Sequence, residues 1–128
     1  MPLKKPWESY DPAQWKSLSG SYGVYELADA DGNVIYIGYA GSRATYGLRG
    51  KIADHFSEGE LNPAIRGRVA QFRYEVNSMY LSRWVDLLGR FREDYECLPD
   101  GNEASDEHIP KLPRFHWKSW DAPATQPG

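Results

Sequence analysis

Two short runs of alternating apolar residues, 22–27 (YGVYEL) and 34–39 (VIYIGY), flank the polar stretch ADADGN, and the pattern predicts a β-hairpin turning at Asp31-Gly32. The next stretch, AGSRATYGL, holds two glycines and no period, and reads as a loop. Leu48, Ile52 and Phe56 then recur every four residues, which is one apolar stripe of a helix, with Arg49, Lys51 and His55 off the stripe. GELNP ends that helix. A third strand is predicted over QFRYEV, 71–76, where Phe72, Tyr74 and Val76 alternate with polar residues. From Ser78 onward, Tyr80, Trp84, Leu87, Leu88, Phe91 and Tyr95 mark a long amphipathic helix with Asn77 or Ser78 placed to cap it. Hairpin, helix, strand, helix is an α+β order: a small central sheet of about three strands, the hairpin plus one later strand, flanked by helices.

Length sets the organisation around this unit. A chain of 128 residues supports one core. Residues 1–19 read as an irregular N-terminal arm whose Trp7, Tyr10 and Trp15 pack back on the domain, 20–98 as the domain, and 99–128 as an acidic loop and a Pro/aromatic tail. Hydrophobic content of 41% and aromatic content of 14% exceed what a disordered chain carries, and no apolar run approaches the roughly 20 residues of a membrane span. The N-terminus, MPLKKPWESYDP, has no apolar core of the secretory type behind its lysines, so a cytoplasmic protein is expected. The single cysteine, Cys97, has no partner for a disulfide or thiolate zinc site and is expected to be a small buried side chain.

The net charge of −3 is unevenly spread. Residues 43–92 carry nine Lys/Arg against five acids, while 93–107 carry seven acids and no base. A basic middle suits phosphates; a solvated surface of mixed charge is the plainer reading.

The hairpin also carries chemistry. GVY at 23–25 and YIG at 36–38, ten residues between their tyrosines, are followed by a helix, LRGKIADHF, that is basic and ends in histidine. Together these features resemble the GIY-YIG nuclease family, over residues 21–56. The resemblance implies that Tyr25 and Tyr36 come together over a scissile phosphate to orient or deprotonate the attacking water. It implies that Lys51 stabilises charge on the phosphoryl oxygens, with Arg49 and His55 beside it, and that Mg²⁺ or Mn²⁺ and DNA are bound. Lysine in place of the family's usual arginine gives up a bidentate fork. Gly38, and Arg43 and Tyr46 from the loop, are then expected to touch substrate. That loop is longer than the family's usual spacing, either as a lid over the site or as an extended surface turn.

Some features depart from the family or suit plainer roles. Where the family's helix carries a metal-binding glutamate, this chain has Trp84, so the metal ligand is unknown; Glu75, Glu93 and Glu96 are acidic residues nearby in sequence, and Asp86 lies about 200° around the helix. A carboxylate within about 5 Å of the tyrosine hydroxyls would restore a metal site. The alternative function is a silent module of the same fold that binds nucleic acid or protein without hydrolysis. On general grounds paired hairpin tyrosines are cross-strand packing partners, and a histidine at a helix end is a solvated cation on the dipole. Trp117 and Trp120 in the tail would stack on bases or dock on the domain's own surface.

Overall fold

Alternation along the hairpin becomes the two faces of one sheet. The computed structural model describes residues 3–113, so Trp117 and Trp120 lie outside the described residues. Strands β2 (Gly23–Ala28) and β3 (Val34–Ala40) pair antiparallel, with Tyr25 opposite Gly38 and Leu27 opposite Tyr36. Their turn is held by the Asp29 carboxylate, which accepts the Asp31 and Asn33 backbone N–H groups, and Gly32 takes the left-handed φ of 85°. Strand β4 (Gln71–Val76) pairs with the other side of β2, which is therefore central and buried along its whole length.

The sheet has four strands rather than about three, in the order β1 (Glu8–Ser9), β4, β2, β3. The added strand, β1, comes from the N-terminal arm and pairs antiparallel with β4. Two exposed residues cannot display an alternation, and so the pattern held no sign of it. The arm's aromatics anchor it: Tyr10 stacks on Phe56 at 4.7 Å, and the Trp7 ring carries the Arg73 guanidinium at 4.1 Å. A 3₁₀ segment, Pro12–Ser17, brings Trp15 to α1 (Gly47–His55), where its Nε1–H donates to the Arg49 carbonyl at 3.0 Å.

Helix α1 lays Leu48 and Ile52 on the face that carries Tyr25, Leu27, Tyr36 and Phe72. The opposite face, with Val24 and Ile37, is covered by α2 (Tyr80–Tyr95) through Trp84, Leu87, Leu88 and Phe91. Two helical stripes at the spacing of 3.6 thus sandwich a sheet of period two, each buried side chain contributing about 1.5–3 kcal/mol. The N-cap of α2 is Met79, without a side-chain cap bond, rather than Asn77 or Ser78; Asn77 lies two residues before it, its Oδ1 accepting the Met79 N–H at 2.8 Å. Among the described residues no helix is long and apolar enough to cross a membrane.

The stretch after α2, read from sequence as loop, contains a short helix α3 (Asp100–Glu103) that packs on β3. Asn102 is the reason. Its side-chain amide accepts the Ile37 N–H and donates to the Ile37 carbonyl, both at 2.9 Å, and so stands in for a neighbouring strand at the sheet edge. Cys97 is half-buried rather than buried, with its thiol pKa pushed up by burial. Among the described residues, four of the nine basic residues of the middle form ion pairs: Arg73 with Glu26, Arg83 with Glu75 and Asp86, Arg90 with Asp86, and Arg68 with Asp100.

Candidate active site

Tyr25 and Tyr36 sit diagonally across the hairpin on the face under α1, ring centroids 6.1 Å apart. Gly38 makes that approach possible. A Cβ there would lie against the Tyr25 Cζ, 2.5 Å from its hydroxyl and 2.7 Å from Tyr36 Cε2. The missing side chain makes room for the tyrosine rings themselves, not for a substrate.

His55, the last residue of α1, completes the cluster. Its Nε2 lies 2.6 Å from the Tyr25 hydroxyl and its Nδ1 2.6 Å from Glu60 Oε2. A carboxylate only accepts, so Nδ1 carries the proton, and Nε2 accepts from Tyr25. Burial lowers the His55 pKa, with the Glu60 carboxylate opposing and the Lys51 charge adding to the fall. The histidine is a buried, hydrogen-bonded bridge between Tyr25 and Glu60, not a solvated cation on a helix dipole. Glu60 is held in turn by the Asn62 N–H, which donates to its Oε1 at 2.9 Å. Tyr25 is 1% exposed, and burial pushes its pKa well above 10.

Tyr36, 8% exposed, donates to Glu107 Oε1 at 3.2 Å. Burial raises its pKa, and the Glu107 carboxylate raises it further. The Glu107 pKa is itself raised by burial, against the Tyr36 hydrogen bond and the Lys51 charge. Glu107 also lines a cleft of about 700 Å³ alongside Lys51, Asp54, Arg43, Tyr46, Tyr39 and Tyr80. One carboxyl group thus links the tyrosine cluster to the open cleft. It lies within about 5 Å of the Tyr36 hydroxyl, whereas the Tyr25 hydroxyl is bound to His55.

The expected site residues fall into three places. Tyr25, Tyr36 and His55 form the cluster, over Gly38. Lys51, Arg43 and Tyr46 line the cleft beside it. Arg49 joins neither: two residues before Lys51 it lies about 200° around α1, and its guanidinium rests on Trp15 at 4.8 Å. Its buried Nε has no hydrogen-bond partner among the described residues. Glu75 is bound by Arg83 and Asn77. Glu60 and Glu107 are the residues that sequence reasoning missed. Glu60 sits in a turn whose only visible role was to end a helix, and Glu107 arrives from 71 positions beyond Tyr36 with no local signal.

Comparison with curated proteins gives no match, and comparison with solved structures gives none. A family model matches residues 1–94, a span that takes in both tyrosines, His55 and Glu60 and stops short of Asn102 and Glu107. On that match the chain belongs to the family described as Domain of unknown function (DUF7508).

Proposed function

We propose that this chain is a GIY-YIG-type nuclease-like domain that hydrolyses phosphodiester bonds of DNA with a divalent metal ion. One observation carries the reading: the two tyrosines share a cluster with His55, and Tyr36 reaches the cleft wall at Glu107, within the field of Lys51. Tyr36 then orients the attacking water, and Lys51 neutralises charge developing on the phosphoryl oxygens. Tyr25, sealed beneath, is a positioning residue tied to His55 and Glu60.

No group of three or more His, Cys, Asp or Glu able to hold a metal occurs among the described residues. Magnesium bound through one or two carboxylates plus substrate phosphates needs no such cage. Glu107 is the residue that would hold Mg²⁺ or Mn²⁺, and the ion supplies polarisation of the phosphoryl group.

A second reading, the same fold binding DNA or protein without hydrolysis, is favoured by Trp84. At the place of the family's glutamate, Trp84 is 2% exposed and its Nε1–H donates to the Ile37 carbonyl at 2.9 Å, a core role that leaves no ligand on α2 there. Nicking of supercoiled plasmid in Mg²⁺ or Mn²⁺ separates the two. Hydrolysis predicts nicking that falls about 100-fold or more in Tyr36→Phe and Lys51→Ala. Protein that nicks in neither metal rules it out, and DNA binding unchanged by Lys51→Ala would then rule out a nucleic-acid role for the cleft.

A further inference from the structure

Resting on the nuclease-type reading, we infer that the cleft beside the tyrosines takes a single unpaired nucleotide, its base among Tyr39, Tyr46 and Tyr80 and its phosphate against Arg43 and Lys51. The substrate class is single-stranded or locally unpaired nucleic acid.

Size is the first reason. At about 700 Å³ the cleft is within the roughly 300–1,000 Å³ of organic-ligand sites, far more than a phosphate group occupies. The walls are the second. Tyr39 and Tyr80 stack with centroids 5.8 Å apart and planes 14° from parallel, and Tyr22 props Tyr80 edge-on at 5.7 Å. Tyr46, which lines the same cleft, stands edge-on against Trp15 at 5.5 Å, with 55% of its surface exposed. The exposed Tyr46 ring offers a face on which a base stacks, whatever its identity, while Tyr39 and Tyr80 are half-buried, Tyr39 also packing on Trp84 at 4.9 Å.

Charge is the third reason, and it selects the unpaired form. Arg43 and Lys51 are exposed and form no ion pair among the described residues, while the carboxyl groups of Asp54 and Glu107 face the same cleft. Two cations against two carboxyl groups leave the cleft near neutrality, so attraction for a phosphate backbone cannot carry the binding alone. Stacking has to supply the rest, and only a base released from its own stack offers a face.

The test is fluorescence anisotropy in EDTA, which reads binding without hydrolysis. The probes are oligothymidine of about 12 nucleotides, its duplex with oligoadenosine, and the matching oligouridine RNA. The single strand is expected to bind at least about tenfold tighter than duplex. Tyr46→Ala should weaken single-strand binding about tenfold, and Tyr46→Phe should preserve it. With two cations at about −0.7 each, the slope of log K against log salt should be no steeper than about −1.4. An unchanged urea midpoint for Tyr46→Ala shows that this exposed site leaves the fold intact. DNA and RNA arms identify the sugar, and tighter binding of either strand than of duplex supports the inference. Duplex binding equal to single strand, a Tyr46→Ala protein that binds like wild type, a steeper slope, or no binding of any probe overturns it. Retained EDTA binding with no nicking sinks only the hydrolytic reading; nicking with no single-strand preference sinks only this one.

Discussion

Gly38→Ala is the substitution that most directly tests the convergence of the two tyrosines. The new methyl would sit 2.5 Å from the Tyr25 hydroxyl and 2.7 Å from Tyr36 Cε2, inside any tolerable contact. Ring ends normally yield cheaply. Here both are pinned, Tyr25 by His55 at 2.6 Å and Tyr36 by Glu107 at 3.2 Å, and both are buried. Overpacking costs about 1–3 kcal/mol, and pushing Tyr25 off His55 leaves a buried hydroxyl unpaired for about 1–3 kcal/mol more. Against this stands a gain of about 0.5–1 kcal/mol for replacing glycine in a strand, leaving a net loss of about 3 kcal/mol. For a domain of this size, with a urea m-value of about 1.5 kcal/mol/M, the midpoint should fall by about 2 M. Gly59→Ala is the control, since the nearest atom to its Cβ is Ser57 Oγ at 3.6 Å, and its midpoint should not move. A Gly38→Ala midpoint within about 0.5 M of wild type would mean that the rings do not occupy this space, and the shared cluster would fall with them.

Three further outcomes follow from the same contacts. His55→Leu strips partners from both Tyr25 and Glu60 and should cost about 2–4 kcal/mol, whereas adding Tyr25→Phe should recover about 1 kcal/mol by deleting the orphaned hydroxyl; strictly additive urea stabilities would refute the Tyr25–His55 bond. Tyr25 and Tyr36 have folded pKa values above the unfolded 10, so the folded state holds the extra protons and stability must fall as pH rises past 10. Each should lose about 1.4 kcal/mol by pH 11, and equal urea stabilities at pH 9 and pH 11 would contradict their burial. Arg73→Ala leaves Glu26, 4% exposed and 2.6 Å from the Arg73 Nε, without its counter-charge; the cost should be about 3–5 kcal/mol at neutral pH and shrink on acidification, because burial already raises the Glu26 pKa, and a penalty that does not change with pH would rule out the lost charge as its source.

What the sequence disclosed is what repeats. Leu48 and Ile52, or Trp84, Leu88 and Phe91, declare a helix because burial on one face demands the same spacing several times over. The hairpin was legible because alternation and Asp-Gly turn chemistry agree. Glu8–Ser9 and Asp100–Glu103 are too short to repeat anything, and their places come from tertiary partners: the open edge of β4 for one, the Ile37 backbone held by Asn102 for the other. The same limit governs the site. Tyr25, Tyr36, Lys51 and His55 lie within one contiguous stretch, so a local pattern marked them. Glu60 and Glu107 are joined to it only by chain folding. Arg49 shows the converse: adjacency in sequence to Lys51 suggested a shared target, and helix geometry sends it to Trp15 instead.

The two tyrosines look equivalent in the motif and are not equivalent in the fold. Tyr25 lies on the central strand, opposite Gly38 on one side and Tyr74 on the other, and its hydroxyl ends on a neutral imidazole that is itself anchored to Glu60. A proton leaving Tyr25 would have to charge a histidine whose pKa burial has already depressed, so this chain resists charge at its inner end. Tyr36 instead lies on the sheet-edge strand, under a carboxyl group that opens onto the cleft and feels the Lys51 ammonium. Lys51 and Glu107 line the cleft, Tyr36 lies one hydrogen bond behind Glu107, and Tyr25 has no bond to a cleft residue among the described residues. The arrangement therefore divides by depth: Tyr25, His55 and Glu60 are bonded together at the buried end, and Tyr36, through Glu107, is the phenol nearer the cleft. Under the proposed hydrolysis, that division puts Tyr36→Phe with the functional defects and Tyr25→Phe with the structural ones, even though the motif treats them as a pair.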